Sequence, residues 1–96
     1  MRFVWDPSKE RVNLRKHGVR FETCCHVFSD PYALTSFDEE HSEHEDRWVT
    51  MGRVPDGNVI VVAHTYRVVE GIETIRIISA RKATRAEERT YVLRKG

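Results

Sequence analysis

The sequence predicts an α+β fold: an antiparallel β-sheet with two N-terminal helices and a C-terminal helix, in the order β-α-α-β-β-β-β-α, with the helices on one face. Three observations carry that prediction. Residues 74–82 (T-I-R-I-I-S-A-R-K) are apolar on both faces, as an interior strand is. Pro55-Asp56-Gly57-Asn58 is a turn sequence between two β-rich runs, 47–54 and 59–66, and so predicts a hairpin. Phe21, Cys24, Cys25 and Phe28 stand at i, i+3, i+4 and i+7, the spacing of one buried stripe on a short helix.

The elements follow in order. Residues 3–5 (F-V-W) read as the first strand. Asp6-Pro7 is an N-cap followed by proline at the first helical position, and Gly18 is placed to stop that helix in a left-handed conformation. Arg15, Lys16 and His17 crowd its last turn, where positive charge complements the helix dipole. Val12, one of its few apolar residues, should lie on the outside. The second helix carries the Phe21 stripe and ends at Asp30-Pro31. Residues 33–37 (A-L-T-S-F) form the second strand, and 38–46 (D-E-E-H-S-E-H-E-D) an acidic, solvated loop. The hairpin follows, then a turn at Val69-Glu70-Gly71 and the strand at 74–81; the short links make an antiparallel meander. Thr84 and Glu87 form a capping-box pair for a last helix running to about Arg94.

Two arginines interrupt the strand at 74–81. Strict two-residue alternation puts Arg76 on the face of Ile78 and Ala80, and Arg81 on the face of Ile75, Ile77 and Ser79. Guanidinium groups on a rigid strand serve either as ion-pair anchors or as a fixed clamp for phosphate, whose oxygens match the planar fork.

Ninety-six residues make a single domain, 1–96, with a modest core. No apolar run is long enough to span a membrane, and the M-R-F-V-W-D start lacks the apolar segment of a signal peptide. Adjacent Cys24 and Cys25 are poorly placed to bridge each other; they read as reduced, buried thiols of a cytoplasmic protein. The net charge of +1 hides an asymmetry. The acidic loop holds six of fifteen acids and no Lys or Arg, so the rest sets sixteen bases against nine acids, a balance of +7. That bias suits an acidic partner, nucleic acid above all, and also suits a merely solvated surface. His41 and His44 sit among the loop carboxylates, but without a third placed ligand no metal site is expected.

The ordered motifs resemble the BrnT toxins of bacterial type II toxin–antitoxin modules. The matching stretches are V-W-D-P-S-K near the start, N-L-R-K-H-G-V-R-F-E from Asn13, R-W-V-T-M-G-R from Arg47 and R-I-I-S-A-R-K-A from Arg76, continued by Glu87, Arg89 and Tyr91. The resemblance covers nearly the whole length; nothing is carried over to the acidic loop. It implies a RelE-like fold, RNA cleavage that inhibits growth, and neutralisation by a BrnA-like antitoxin with a ribbon-helix-helix DNA-binding part. Operator DNA would then be bound only through the antitoxin complex.

RNA cleavage without metal or other cofactor uses the neighbouring 2′-hydroxyl as nucleophile. It needs a base for that proton, cations for the charge gathering on phosphorus, and an acid for the leaving 5′-oxygen. Arg67, Arg76 and Arg81 suit the charge role, and His64 and His17 suit proton transfer. Lys16 and Lys82 are candidate acids or phosphate contacts, and Arg47, with Lys82, is a candidate RNA contact. Each has a structural alternative: a hydrogen-bonded core residue for His64, a helix-end charge for His17, an anchor for each arginine. Two non-catalytic readings stand beside the enzyme: a basic interaction module binding an antitoxin or nucleic acid through aromatics such as Trp48, Tyr66 and Tyr91, and a degenerate toxin that keeps only antitoxin binding.

Overall fold

The structure, a computed structural model, describes residues 1–95. Its elements are β1 (Arg2–Val4), α1 (Pro7–His17), α2 (Phe21–Cys24) continued by a 3-10 turn (Cys25–Ser29), β2 (Leu34–Phe37), a second 3-10 turn (Glu39–His41), β3 (Trp48–Arg53), β4 (Val59–Val69), β5 (Ile72–Lys82) and α3 (Arg85–Lys95). The five strands form one sheet in the order β1-β5-β4-β3-β2. The order of helices and strands is the expected one. The sheet, however, is mixed and not antiparallel, because β1 runs parallel to β5, with Arg2 opposite Thr74. Hairpin turns dictate antiparallel pairing for β3, β4 and β5, whereas β1 meets its partner across most of the chain and is free of that constraint. β5 is interior, with β4 at the centre.

Local chemistry sets the ends of α1. The Asp6 carboxylate accepts the Ser8 N–H at 2.8 Å, Pro7 opens the helix, and Gly18 closes it at φ 70° with its N–H on Leu14 O. Val12 faces solvent, as expected. At α3 the Thr84 hydroxyl accepts the Glu87 N–H while Glu87 accepts the Thr84 N–H, the reciprocal pair expected of a capping box. Glu70 and Gly71 both adopt positive φ between paired Val69 and Ile72, which gives β4 and β5 a two-residue hairpin loop.

The core lies on one face of the sheet. Phe21, Cys24 and Val27 are fully buried there against Ile60, Val62, Ile75, Ile77 and Ala80. Each large apolar side chain so buried contributes about 1.5–3 kcal/mol. The expected continuous helix through Phe28 is instead α2 tightening into a 3-10 turn, so Val27 joins Phe21 and Cys24, while Cys25 and Phe28 are half-buried at its margin. Burial raises the Cys24 thiol to about 12, and both cysteines are free, as expected of reduced thiols.

The other helices do not share that face. α1 lies along β5 beyond the end of β1, where Asn13 Oδ1 accepts the Ala80 N–H at 3.0 Å and so replaces the missing strand. Asp30 does the same for β3, accepting the Arg53 N–H at 2.7 Å beyond the end of β2. α3 reaches the opposite face: Glu87 holds Arg81, and the Tyr91 ring lies under the Arg53 guanidinium at 5.3 Å. Tyr91 OH donates to Asp30 at 2.6 Å, closing that end of the fold.

The register corrects the expected placement of the arginines. Ser79 pairs with Ala63 but Ile77 pairs with His64, so Ile78 is the extra residue of a β-bulge. The bulge shifts the alternation by one. Arg76, Ser79 and Arg81 therefore share one face with Arg67, and Ile75, Ile77 and Ala80 share the core face. Strict alternation separates Arg76 from Arg81; the bulge unites them.

Candidate active site

The open face of β4 and β5 gathers the cations. Arg76 pairs with Thr65, and Arg67 follows Thr65 by two residues, so the two arginines are diagonal neighbours on adjacent strands. Such neighbours stand about 7–8 Å apart, within reach of one ligand for long side chains. They do share one: Glu45 of the acidic loop accepts a hydrogen bond from Arg76 Nη2, and its other carboxylate oxygen lies 4.0 Å from Arg67 Nε. The arginine side chains stay solvent-accessible, 69% exposed for Arg67 and 41% for Arg76.

One edge of this face is a groove between α1 and β5. It encloses about 400 Å³ and is lined by Lys9, Val12, Asn13, Lys16, His17 and Ser79 among others. The α1 register causes this, because Lys9, Val12 and Lys16 recur at helical spacing along the exposed rim, beside buried Asn13 that meets β5. Ser79 stands between Arg76 and Arg81 on the shared face, so the groove meets that face at Ser79, although none of the three arginines lines it. The open face thus offers paired guanidiniums, and the α1 groove separately offers an ammonium and an imidazole. Among the described residues no group of three His, Cys, Asp or Glu side chains is placed to hold a metal ion.

The family model described as "Ribonuclease toxin, BrnT, of type II toxin-antitoxin system" matches residues 5–87. The chain belongs to the BrnT family. Its fold is similar to that of the ribonuclease toxin BrnT of Brucella abortus, known from a 1.1 Å crystal structure, with a TM-score of 0.63 and 23% identity over 88% of this chain and 99% of that one. Among curated proteins no sequence matches it. It is thus a BrnT-family ribonuclease toxin of a type II toxin–antitoxin system.

The sequence-derived candidates of this BrnT chain fall into three groups. Arg67 and Arg76 come together, whereas Lys16 and His17 line the separate groove between α1 and β5, which neither arginine lines. Arg81 shares the face but is engaged: both its terminal nitrogens donate to Glu87, at 2.7 and 3.0 Å. That pair and the Thr84 N–H hold the Glu87 carboxyl down at about 2. Arg47 lines a second groove with Glu43, His44 and Glu45 of the acidic loop. Lys82 lies at the far end of β5, beside Asp56, Asn58 and Val54.

His64 is not brought to the arginines. Its register places it on the core face opposite Ile77, where it is 3% exposed with its ring against Phe28. Thr65 O can only accept, so Nδ1 carries the proton that bonds it, and Nε2 accepts from Thr50 Oγ1 at 2.7 Å. Thr50 in turn meets Thr35 at 2.9 Å. Burial lowers the pKa and keeps the ring neutral. Both ring nitrogens are committed, which is the structural alternative foreseen for this residue.

Glu45 is the residue that sequence reasoning missed. Its contact with Arg76 spans 31 residues, and the only sign of it was the acidic loop itself. The loop is not simply solvated. His41 bonds Asp38 at 2.9 Å, and the Arg47 N–H bonds Ser42 Oγ at 2.9 Å, so its ends are pinned together.

Proposed function

We propose that this BrnT chain is a metal-independent endoribonuclease that cleaves RNA through its own 2′-hydroxyl and thereby inhibits growth in the cytoplasm. The observation that supports this most is the meeting of Arg67 and Arg76 on one exposed face, where both reach the same carboxylate. In the reaction the 2′-oxygen bonds to phosphorus as its proton leaves, and the bond from phosphorus to the 5′-oxygen breaks as that oxygen gains a proton. His17, the imidazole of the α1 groove, is the proton carrier. Arg76 and Arg67 meet the growing charge on the non-bridging oxygens. Lys16 and Arg47 contact flanking phosphates, and Arg81 supports the face through α3; Lys82, paired with Ile60, belongs to the other face.

The same reading assigns the chain a fold of the RelE-like class and a BrnA-like antitoxin with a ribbon-helix-helix part, through which operator DNA is reached. Purified chain incubated with RNA should yield 2′,3′-cyclic phosphate ends at the same rate with and without chelator. Activity abolished by chelator and restored by a divalent ion would defeat the metal-independent mechanism. Binding of RNA without any cleavage would leave the interaction-module reading in its place.

A further inference from the structure

The acidic loop reaches the arginines by a defined route. The Asp38 N–H bonds Arg47 O at 2.9 Å, and Ser42 Oγ bridges Asp38 O and the Arg47 N–H, so the two ends of the loop are fastened. Glu45 then sets one carboxylate oxygen on Arg76 and the other near Arg67. Two anionic oxygens spread over two guanidiniums copy what the non-bridging oxygens of a phosphodiester would do there. We propose that Arg67 and Arg76 form a phosphodiester-binding site that Glu45 closes from within the chain, so that RNA must displace the acidic loop to bind. The proposal rests on reading this face as the one that meets RNA.

The magnitudes fit a displaceable gate. Glu45 is 35% exposed, and partly exposed ion pairs are weak enough to open readily. The other five acids of the loop add repulsion toward a polyanion but make no ion pair with either arginine among the described residues.

The test uses the full chain and a single-stranded oligodeoxynucleotide, which carries phosphodiesters but lacks the 2′-hydroxyl and so reports binding apart from cleavage. Glu45→Gln should bind it about fivefold more tightly, the gain from removing a competitor that holds most of the molecules closed. Glu43→Gln removes the same charge from the same loop and should gain less than about twofold. In an Arg76→Ala background the Glu45→Gln gain should vanish. Equal gains from the Glu43 and Glu45 variants would reduce the effect to net charge and overturn the proposal. So would a Glu45→Gln chain that melts earlier without binding better, or an absence of binding by every variant. If the Glu45→Gln gain persists while no variant cleaves RNA, the gated site stands and the ribonuclease reading falls.

Discussion

At the scale of single residues, the arginines divide by partner. Arg76 is held by a carboxylate that water can solvate once the arginine is gone, so Arg76→Ala should leave the melting temperature nearly unchanged. Its cleavage rate should fall about a hundredfold, the loss typical of one donor removed from a charged transition state. Arg76→Lys should not restore it, because a point charge lacks the two-pronged fit. Arg81→Ala should behave in the opposite way. It releases Glu87 and costs up to about 1 kcal/mol of stability for a partly exposed pair, with a smaller effect on rate per folded molecule. Parallel melting curves and RNA cleavage on the three variants check the division. His64→Ala should cost about 2–3 kcal/mol by opening a cavity beside Phe28 and removing one of the two bonds of the Thr50 hydroxyl. Its cleavage, normalised to folded protein, should persist; a loss at full stability would return His64 to the chemistry. Caps such as Asp6, Gly18 and Thr84 were legible in the sequence because their bonds close within a few residues. The sharing of Arg76 by Glu45 was not, because no local pattern encodes a contact across a loop.

At the scale of elements, two packings invite measurement. A Cβ added at Gly52 would lie 3.0 Å from Val27 Cγ1 and 3.1 Å from Val27 O, and the second is backbone that cannot swing aside. Gly52→Ala should therefore destabilise by about 1–3 kcal/mol, read in a denaturant titration. α3 is fastened by carboxylates whose protonation weakens it. Glu87 drops from an ordinary 4.5 to about 2 on folding, so its stabilisation is complete above pH 4.5 and is lost as pH falls toward 2. Asp30 adds to the same limb: burial pushes its carboxyl up, but the Arg53 N–H, Tyr91 OH and Tyr32 N–H outweigh it and leave a lowered value. Glu87→Gln should flatten the loss of stability between pH 4.5 and 2, and an unchanged acid limb would remove Glu87 from the account. The elements themselves were readable from periodicity and turn chemistry. The bulge at Ile78 was not, because strict alternation is the only rule a lone strand supplies and the extra residue is set by pairing with β4 beneath α1.

At the scale of the whole molecule, the sheet's interior was readable and its closure was not. Residues 74–82 announce an interior strand, but nothing local says that β1 will lie beside them in parallel. The positive balance outside residues 38–46 pointed to an anionic partner, and the structure concentrates part of it on one face. Net attraction to RNA should weaken steeply with added salt, as counterion release requires; a flat salt response would deny that phosphates dominate binding.

The parallel pairing of the first strand also orders events in time. β1 and α1 leave synthesis early, yet β1 pairs with Arg2 on Thr74 and α1 is fastened through Asn13 to Ala80, 67 residues later. Neither can dock until the arginine-bearing strand has emerged, because closing so distant a contact requires the intervening chain. A nascent chain of this design stays unassembled until its last strand is free. Chains truncated before residue 72 should accordingly show no protease-resistant N-terminal half, whereas chains extending through α3 should acquire protection in one step.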